Sequence, residues 1–142
     1  MSDLFDKFIP SNACVIAETA CGHEGDPLKL KRLIDCVVDS QCQIIKFQIF
    51  KTFERAIKGH KEWDIFSKLE LSDKDWKKYV EYAKSKGLHV FADVYGYDSF
   101  SLAMKLNIDG YKIHSEDLLN TKFILDVCKS RKIVMIGIGG AR

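Results

Sequence analysis

No stretch of the 142-residue chain approaches the roughly 18 consecutive apolar residues of a membrane-spanning helix, and the N-terminus has no apolar signal-type core. Both absences lead us to expect no membrane partner. An excess of charge of one sign is also missing: 22 basic side chains face 20 acidic ones, for a formal net charge of +2. That balance is too small and too evenly spread to hold nucleic acid or an anionic surface. The basic clusters from Lys29 to Arg32 and from Lys74 to Lys78 fall on expected helices and read as solvated faces. The five cysteines (Cys14, Cys21, Cys36, Cys42 and Cys128) are odd in number and lack metal-type pair spacing. They fit reduced thiols in a cytoplasm. No GxGxxG opens the first expected helix, so the phosphate loop of a dinucleotide fold is missing.

What is present suits one folded domain. Hydrophobic residues make up 46 % and charged residues 30 % of the chain, and its length is about that of an ordinary domain. Short apolar runs alternate with helical stripes. Ala13 to Glu18 reads as a strand, and Asp26-Pro27 as a helix start with a capping side chain and proline in the first turn. Leu30, Leu33, Ile34, Val37 and Val38 then form the apolar stripe of a helix packed on one face. Ile44 to Ile49 is the second strand. Ser72-Asp73-Lys74-Asp75 opens another helix in capping-box style, with Trp76, Tyr79, Val80 and Ala83 as its buried stripe and Gly87 closing it. Leu88 to Asp93 is a third strand, Asp98 to Leu106 a short helix, and Gly110 to Ile113 a fourth strand. Asn120 caps a helix carrying Phe123, Ile124, Val127 and Cys128, and Ile133 to Ile136 is a fifth strand. The segment from Phe50 to Leu69 is long for a connection and reads as an active-site lid with some helix of its own or as a disordered excursion.

Regular strand–helix alternation means βαβ units and a parallel sheet. Two architectures compete, a doubly wound open sheet and a (β/α)8 barrel. Glu18, Lys46, Gln48, Asp93, Lys112 and Ser115 decide for the barrel, because all fall at or just past the C-terminal ends of successive strands. In a barrel those ends converge on one mouth, whereas an open sheet gathers its site at a single switch point. A complete barrel takes about 250 residues. We therefore expect residues 1–142 to be the N-terminal part of a TIM-barrel-type domain, with about five strands and four helices. Two buried-strand lysines at that mouth, Lys46 and Lys112, suggest a cationic pocket for a small anion. The alternative is that each snorkels to solvent or pairs with a carboxylate.

Val15-Ile16-Ala17-Glu18, Gly22-His23-Glu24-Gly25-Asp26, Ile45-Lys46-Phe47-Gln48 and Tyr111-Lys112-Ile113 occur in the order and spacing of the N-terminal barrel domain of the sialic acid synthase family, which this chain resembles from about Ala13 onward. Leu71 to Trp76 and Ser115-Glu116-Asp117-Leu118 extend the likeness. The resemblance implies an aldol-type condensation of phosphoenolpyruvate with N-acetylmannosamine or a related N-acetylated sugar, giving a nonulosonic acid. It implies that Lys46, Gln48, Lys112, Ser115 and His23 bind substrate and that Glu18 and Asp117 are catalytic. It further implies a divalent metal (Mn2+ or Mg2+) that polarises the sugar aldehyde, with ligands on later strands outside this chain. A small C-terminal domain, also outside it, and a homodimeric full-length protein complete the implied picture.

Several positions depart from the family pattern. Gly22 stands where the family has Asn, and Asp93 where it has a hydroxyl of a Ser-Thr-Pro-Phe type sequence. Glu116 replaces a glycine, and Gly137-Ile138-Gly139 replaces Ser-Thr-Gly. The new carboxylates should repel phosphate. Two other readings therefore stand beside the synthase: an inactive or diverged barrel fragment that binds an anion, and a Schiff-base aldolase using Lys112. For His23 a surface turn competes with a site role, and Cys21 is expected to be inert.

Overall fold

The computed structural model describes residues 14–140; Ala13, Ala141 and Arg142 lie outside them. Five strands, β1 (Ile16–Glu18), β2 (Ile44–Ile49), β3 (His89–Val94), β4 (Gly110–Ile113) and β5 (Ile133–Ile136), form one sheet in sequence order. Every neighbouring pair is parallel. Sequential order leaves no switch point, which excludes the doubly wound alternative and matches the winding of a (β/α) barrel.

The helices follow from local signals. In α1 (Pro27–Asp39) the Asp26 carboxylate accepts the Leu28 N–H at 2.8 Å and Pro27 occupies the first position. Residues 50–69 hold two short helices, α2 (Thr52–Arg55) and α3 (Trp63–Leu69). Glu70 ties α2 down by accepting both the N–H and the hydroxyl of Thr52, each at 2.7 Å. In α4 (Asp73–Ser85) the Ser72 hydroxyl accepts the Asp75 N–H at 3.1 Å. The start of α5 (Tyr97–Lys105) is capped from a distance, since Glu54 Oε1 on α2 accepts the N–H groups of Asp98 and Ser99. A 3-10 turn (Ser115–Asp117) leads into α6 (Thr121–Cys128), whose first turn is capped by Asn120.

Strand periodicity divides the sheet into two faces. Ile45, Phe47 and Ile49 of β2, Val90, Ala92 and Val94 of β3, and Tyr111 and Ile113 of β4 pack in one cluster with Leu30, Ile34, Trp76, Val80, Phe100 and Phe123 from the helices. Burial of each large side chain in this layer contributes about 1.5–3 kcal/mol. On the other face Ile44 and Phe91 pack with Cys14, Ile16, Ile133 and Met135. Phe91 is paired in register with Gly110, where an added Cβ would stand 2.6 Å from the Phe91 ring. Only glycine leaves room for that ring. One step further toward the strand ends, the same face carries Glu18, Lys46, Asp93 and Lys112.

Candidate active site

Each site residue occupies its position because of strand register. Glu18 lies beside Lys46 across β1 and β2, Gln48 beside Asp93 across β2 and β3, and Asp93 beside Lys112 across β3 and β4. Asp93, whose side chain is 1 % exposed, bridges both lysines: Lys46 Nζ donates to Oδ1 at 2.9 Å and Lys112 Nζ donates to Oδ2 at 3.1 Å. Lys46 also contacts Glu18 Oε2, while Glu18 Oε1 accepts the Ala20 N–H at 2.8 Å. Burial pulls the Lys46 ammonium below the usual lysine range; Asp93 opposes the shift, and the Lys112 charge reinforces it. The pairing alternative raised by the sequence is thus realised: both ammonium groups have a carboxylate, and the two lysines with Glu18 and Asp93 sum to a formal charge of zero.

Gln48 borders this cluster through its register with Asp93. Gln48 Oε1 accepts a weak hydrogen bond from Cys21 Sγ at 3.5 Å, and burial pushes the Cys21 thiol up despite the opposing Arg55 charge. Ser115 follows β4 directly. A Cβ added at Gly137 would stand 2.9 Å from the Ser115 backbone nitrogen. The glycine that costs the β5 exit a hydroxyl is therefore needed for close passage past the β4 exit.

His23 and Asp117 are not brought to the lysines. His23 is fully buried, with its ring 5.8 Å from Trp76 of α4 in edge contact. Its Nδ1 accepts the Gly25 N–H at 3.0 Å, and Nε2 has no hydrogen-bond partner. Burial holds its pKa below the usual histidine value. It belongs to the helix-side core because Gly22 to Gly25 turn the chain back toward α1. Asp117 sits two residues past Ser115, where the 3-10 turn directs its carboxylate to the Asn120 side-chain amide at 3.2 Å.

The structure adds a second cluster at the rim that the sequence reading missed. Arg55 of α2 stacks on Tyr95 at 4.1 Å and on Phe66 at 4.8 Å, and its Nη1 donates to Glu116 Oε2 at 3.0 Å. His114 lies 5.5 Å from the Tyr95 ring, with a buried Nδ1 that makes no hydrogen bond. Burial, then the Asp93 charge, hold the Tyr95 phenol far above its ordinary value, so it stays protonated. The one available signal for Arg55 was its place just after β2, where barrels carry site residues. A surface groove of about 460 Å³ against Leu28, Tyr79 and Tyr82 is on the helix side and away from this chemistry.

Among the described residues no group of three His, Cys, Asp or Glu side chains is placed to share a metal ion. Glu18 and Asp93 already spend oxygens on the lysines. These residues do not fit a divalent metal. Among the described residues no helix is long and apolar enough to cross a membrane.

The model of the NeuB family matches residues 33–142. The chain belongs to the NeuB family. It is 25 % identical over 141 residues to the N,N'-diacetyllegionaminic acid synthase of Campylobacter jejuni, covering 89 % of this chain and 42 % of the relative. The Legionella pneumophila enzyme of the same name is 27 % identical over 136 residues, covering 86 % and 38 %. The crystal structure of the N-acetylneuraminic acid (sialic acid) synthetase of Leptospira borgpetersenii, in complex with citrate, superposes with a TM-score of 0.79 at 25 % identity over 85 % of this chain and 42 % of that one. This NeuB chain thus spans about two fifths of the length of the relatives it matches. Its five-stranded parallel sheet is the N-terminal part of their TIM-barrel-like fold.

Proposed function

We propose that this NeuB chain contributes the phosphoenolpyruvate side of a sialic acid synthase-type active site, for condensation with N-acetylmannosamine or a related N-acetylated sugar. The observation that carries the reading is the position of Lys46 and Lys112 on one sheet face, Lys46 three residues before the end of β2 rather than at it and Lys112 next to last in β4, joined through Asp93. Family membership and the named synthases support it. Phosphoenolpyruvate carries a phosphate and a carboxylate on three carbons, and two ammonium groups on β2 and β4, one strand apart, offer matching charge-assisted donors.

The methylene carbon of the enol attacks the aldehyde carbon of the open-chain sugar, forming the C–C bond while the aldehyde oxygen takes a proton. Water adds to the cationic carbon that bears the phosphate, losing a proton, and phosphate leaves with its bridging oxygen by C–O cleavage. Glu18, a partly exposed carboxylate at the β1 end, is the group on this chain suited to hold the sugar or carry one of these protons. Lys112 is a poor Schiff-base amine in this setting, because its nitrogen is engaged by Asp93 at 3.1 Å. Phosphate release from phosphoenolpyruvate with N-acetylmannosamine and manganese tests the reading in a full-length protein that carries this chain, since residues 1–142 alone are expected to give no turnover. Release that Lys46→Ala and Lys112→Ala each abolish supports it; release that survives both substitutions sinks it.

A further inference from the structure

Every cation described at the mouth already has a carboxylate partner. Lys46 contacts Asp93 and Glu18, Lys112 contacts Asp93, and Arg55 contacts Glu116. The three carboxylates differ in standing. Glu116 and Glu18 have side chains 65 % and 37 % exposed and can swing into water, whereas Asp93 is 1 % exposed. Asp93 also sits on β3, paired on both sides by β2 and β4, so its backbone cannot withdraw. Its two oxygens take one lysine each, at 2.9 and 3.1 Å. A bound carboxylate, or one edge of a phosphate, would use the same two donors at the same separations.

We propose that Asp93 is an internal counter-ion standing in the seat of the anionic substrate, so that a phosphate or carboxylate enters between Lys46 and Lys112 only by exchange with it. The proposal rests on the phosphoenolpyruvate reading above and specifies how this chain sets its affinity. An anion arriving while Asp93 holds both lysines meets a third negative charge in a poorly solvated place, and repulsion there is weakly screened. An anion that takes over the lysines leaves Asp93 without its partners, so part of the new contact energy is spent on the displaced carboxylate. In either case the wild-type seat binds anions more weakly than its two lysines would allow. Substrate selectivity shifts toward ligands that make further contacts outside the seat, since a bare anion gains least from the exchange.

Inorganic phosphate is the probe, titrated calorimetrically into wild-type protein, Asp93→Asn and Asp93→Ser, with circular dichroism to establish folding. Asp93→Asn keeps the side-chain shape and Asp93→Ser supplies a hydroxyl donor. Both are expected to bind phosphate at least about ten-fold tighter than wild type, and adding Lys112→Ala to either should abolish the gain. In wild type saturated with phosphate, the 13C resonance of the Asp93 carboxyl should move as the lysines change partner. Equal or weaker binding in both folded variants overturns the proposal, as does an unmoved Asp93 resonance in the phosphate-saturated protein. If wild type still binds phosphoenolpyruvate through the lysines, that failure leaves the functional reading intact. If wild type and variants alike bind neither phosphate nor phosphoenolpyruvate, both fall together.

Discussion

Lys46→Met removes one ammonium from the cluster and keeps most of its aliphatic stem, so its cost reports on the charge that stays behind. Asp93 would retain only Lys112, at 3.1 Å, while remaining 1 % exposed. Removing one partner of a buried ion pair costs about 3–5 kcal/mol, mostly because a charge is left under-compensated. The remaining bond to Lys112 places this case at the lower end, about 3 kcal/mol. Adding Asp93→Asn removes the stranded charge. Lys112 and Glu18 are both partly exposed and can be solvated, so the double variant should recover to within about 1 kcal/mol of wild type. The coupling energy is then at least about 2 kcal/mol, increased by whatever Asp93→Asn costs alone, in the range for residues of one network. Urea unfolding monitored by circular dichroism measures it, provided the slope with denaturant is the same in all four proteins. A Lys46→Met loss below about 0.5 kcal/mol, or strictly additive single effects, would refute the claim that Asp93 depends on Lys46.

Two further outcomes follow from residues outside the cluster. His23 is buried and neutral with a pKa held below its ordinary 6.5, so below that pH the unfolded chain binds a proton that the folded chain does not. Stability should therefore fall as pH drops below 6.5, by up to about 1.4 kcal/mol per pH unit until the folded histidine itself titrates. His23→Gln should flatten this slope in urea unfolding, and an unchanged slope would contradict the assignment. Gly110→Ala would place a methyl group 2.6 Å from the buried Phe91 ring and should destabilise by about 1–3 kcal/mol. Phe91→Leu should relieve part of that loss, and no relief would show that the strain lies elsewhere.

Much of this structure was legible because strand and helix periods are local. Ile45, Phe47 and Ile49 alternate with Ile44, Lys46 and Gln48, so the two faces of β2 could be read before any pairing was known. Asp26, Ser72 and Asn120 announced three helix starts because a capping side chain acts within its own turn. The site was less legible where its parts meet across the fold. Asp93 reads from the sequence as a carboxylate that should repel phosphate, and only the order β2-β3-β4 places it between two lysines. Arg55 lies in a segment without clear periodicity, held by Glu70 and by aromatic rings distant in sequence. His23 carries a side chain suited to a site, but the turn after β1 directs it into the core against Trp76.

The central claim is that Lys46 and Lys112 together form the seat for phosphoenolpyruvate. Calorimetric titration of phosphoenolpyruvate into wild type, Lys46→Ala and Lys112→Ala tests it most directly, with folding of each variant checked in parallel. The account predicts saturable binding by wild type that either substitution weakens by at least about ten-fold, as loss of a charge-assisted hydrogen bond implies. Wild-type affinity retained in both folded variants would contradict it.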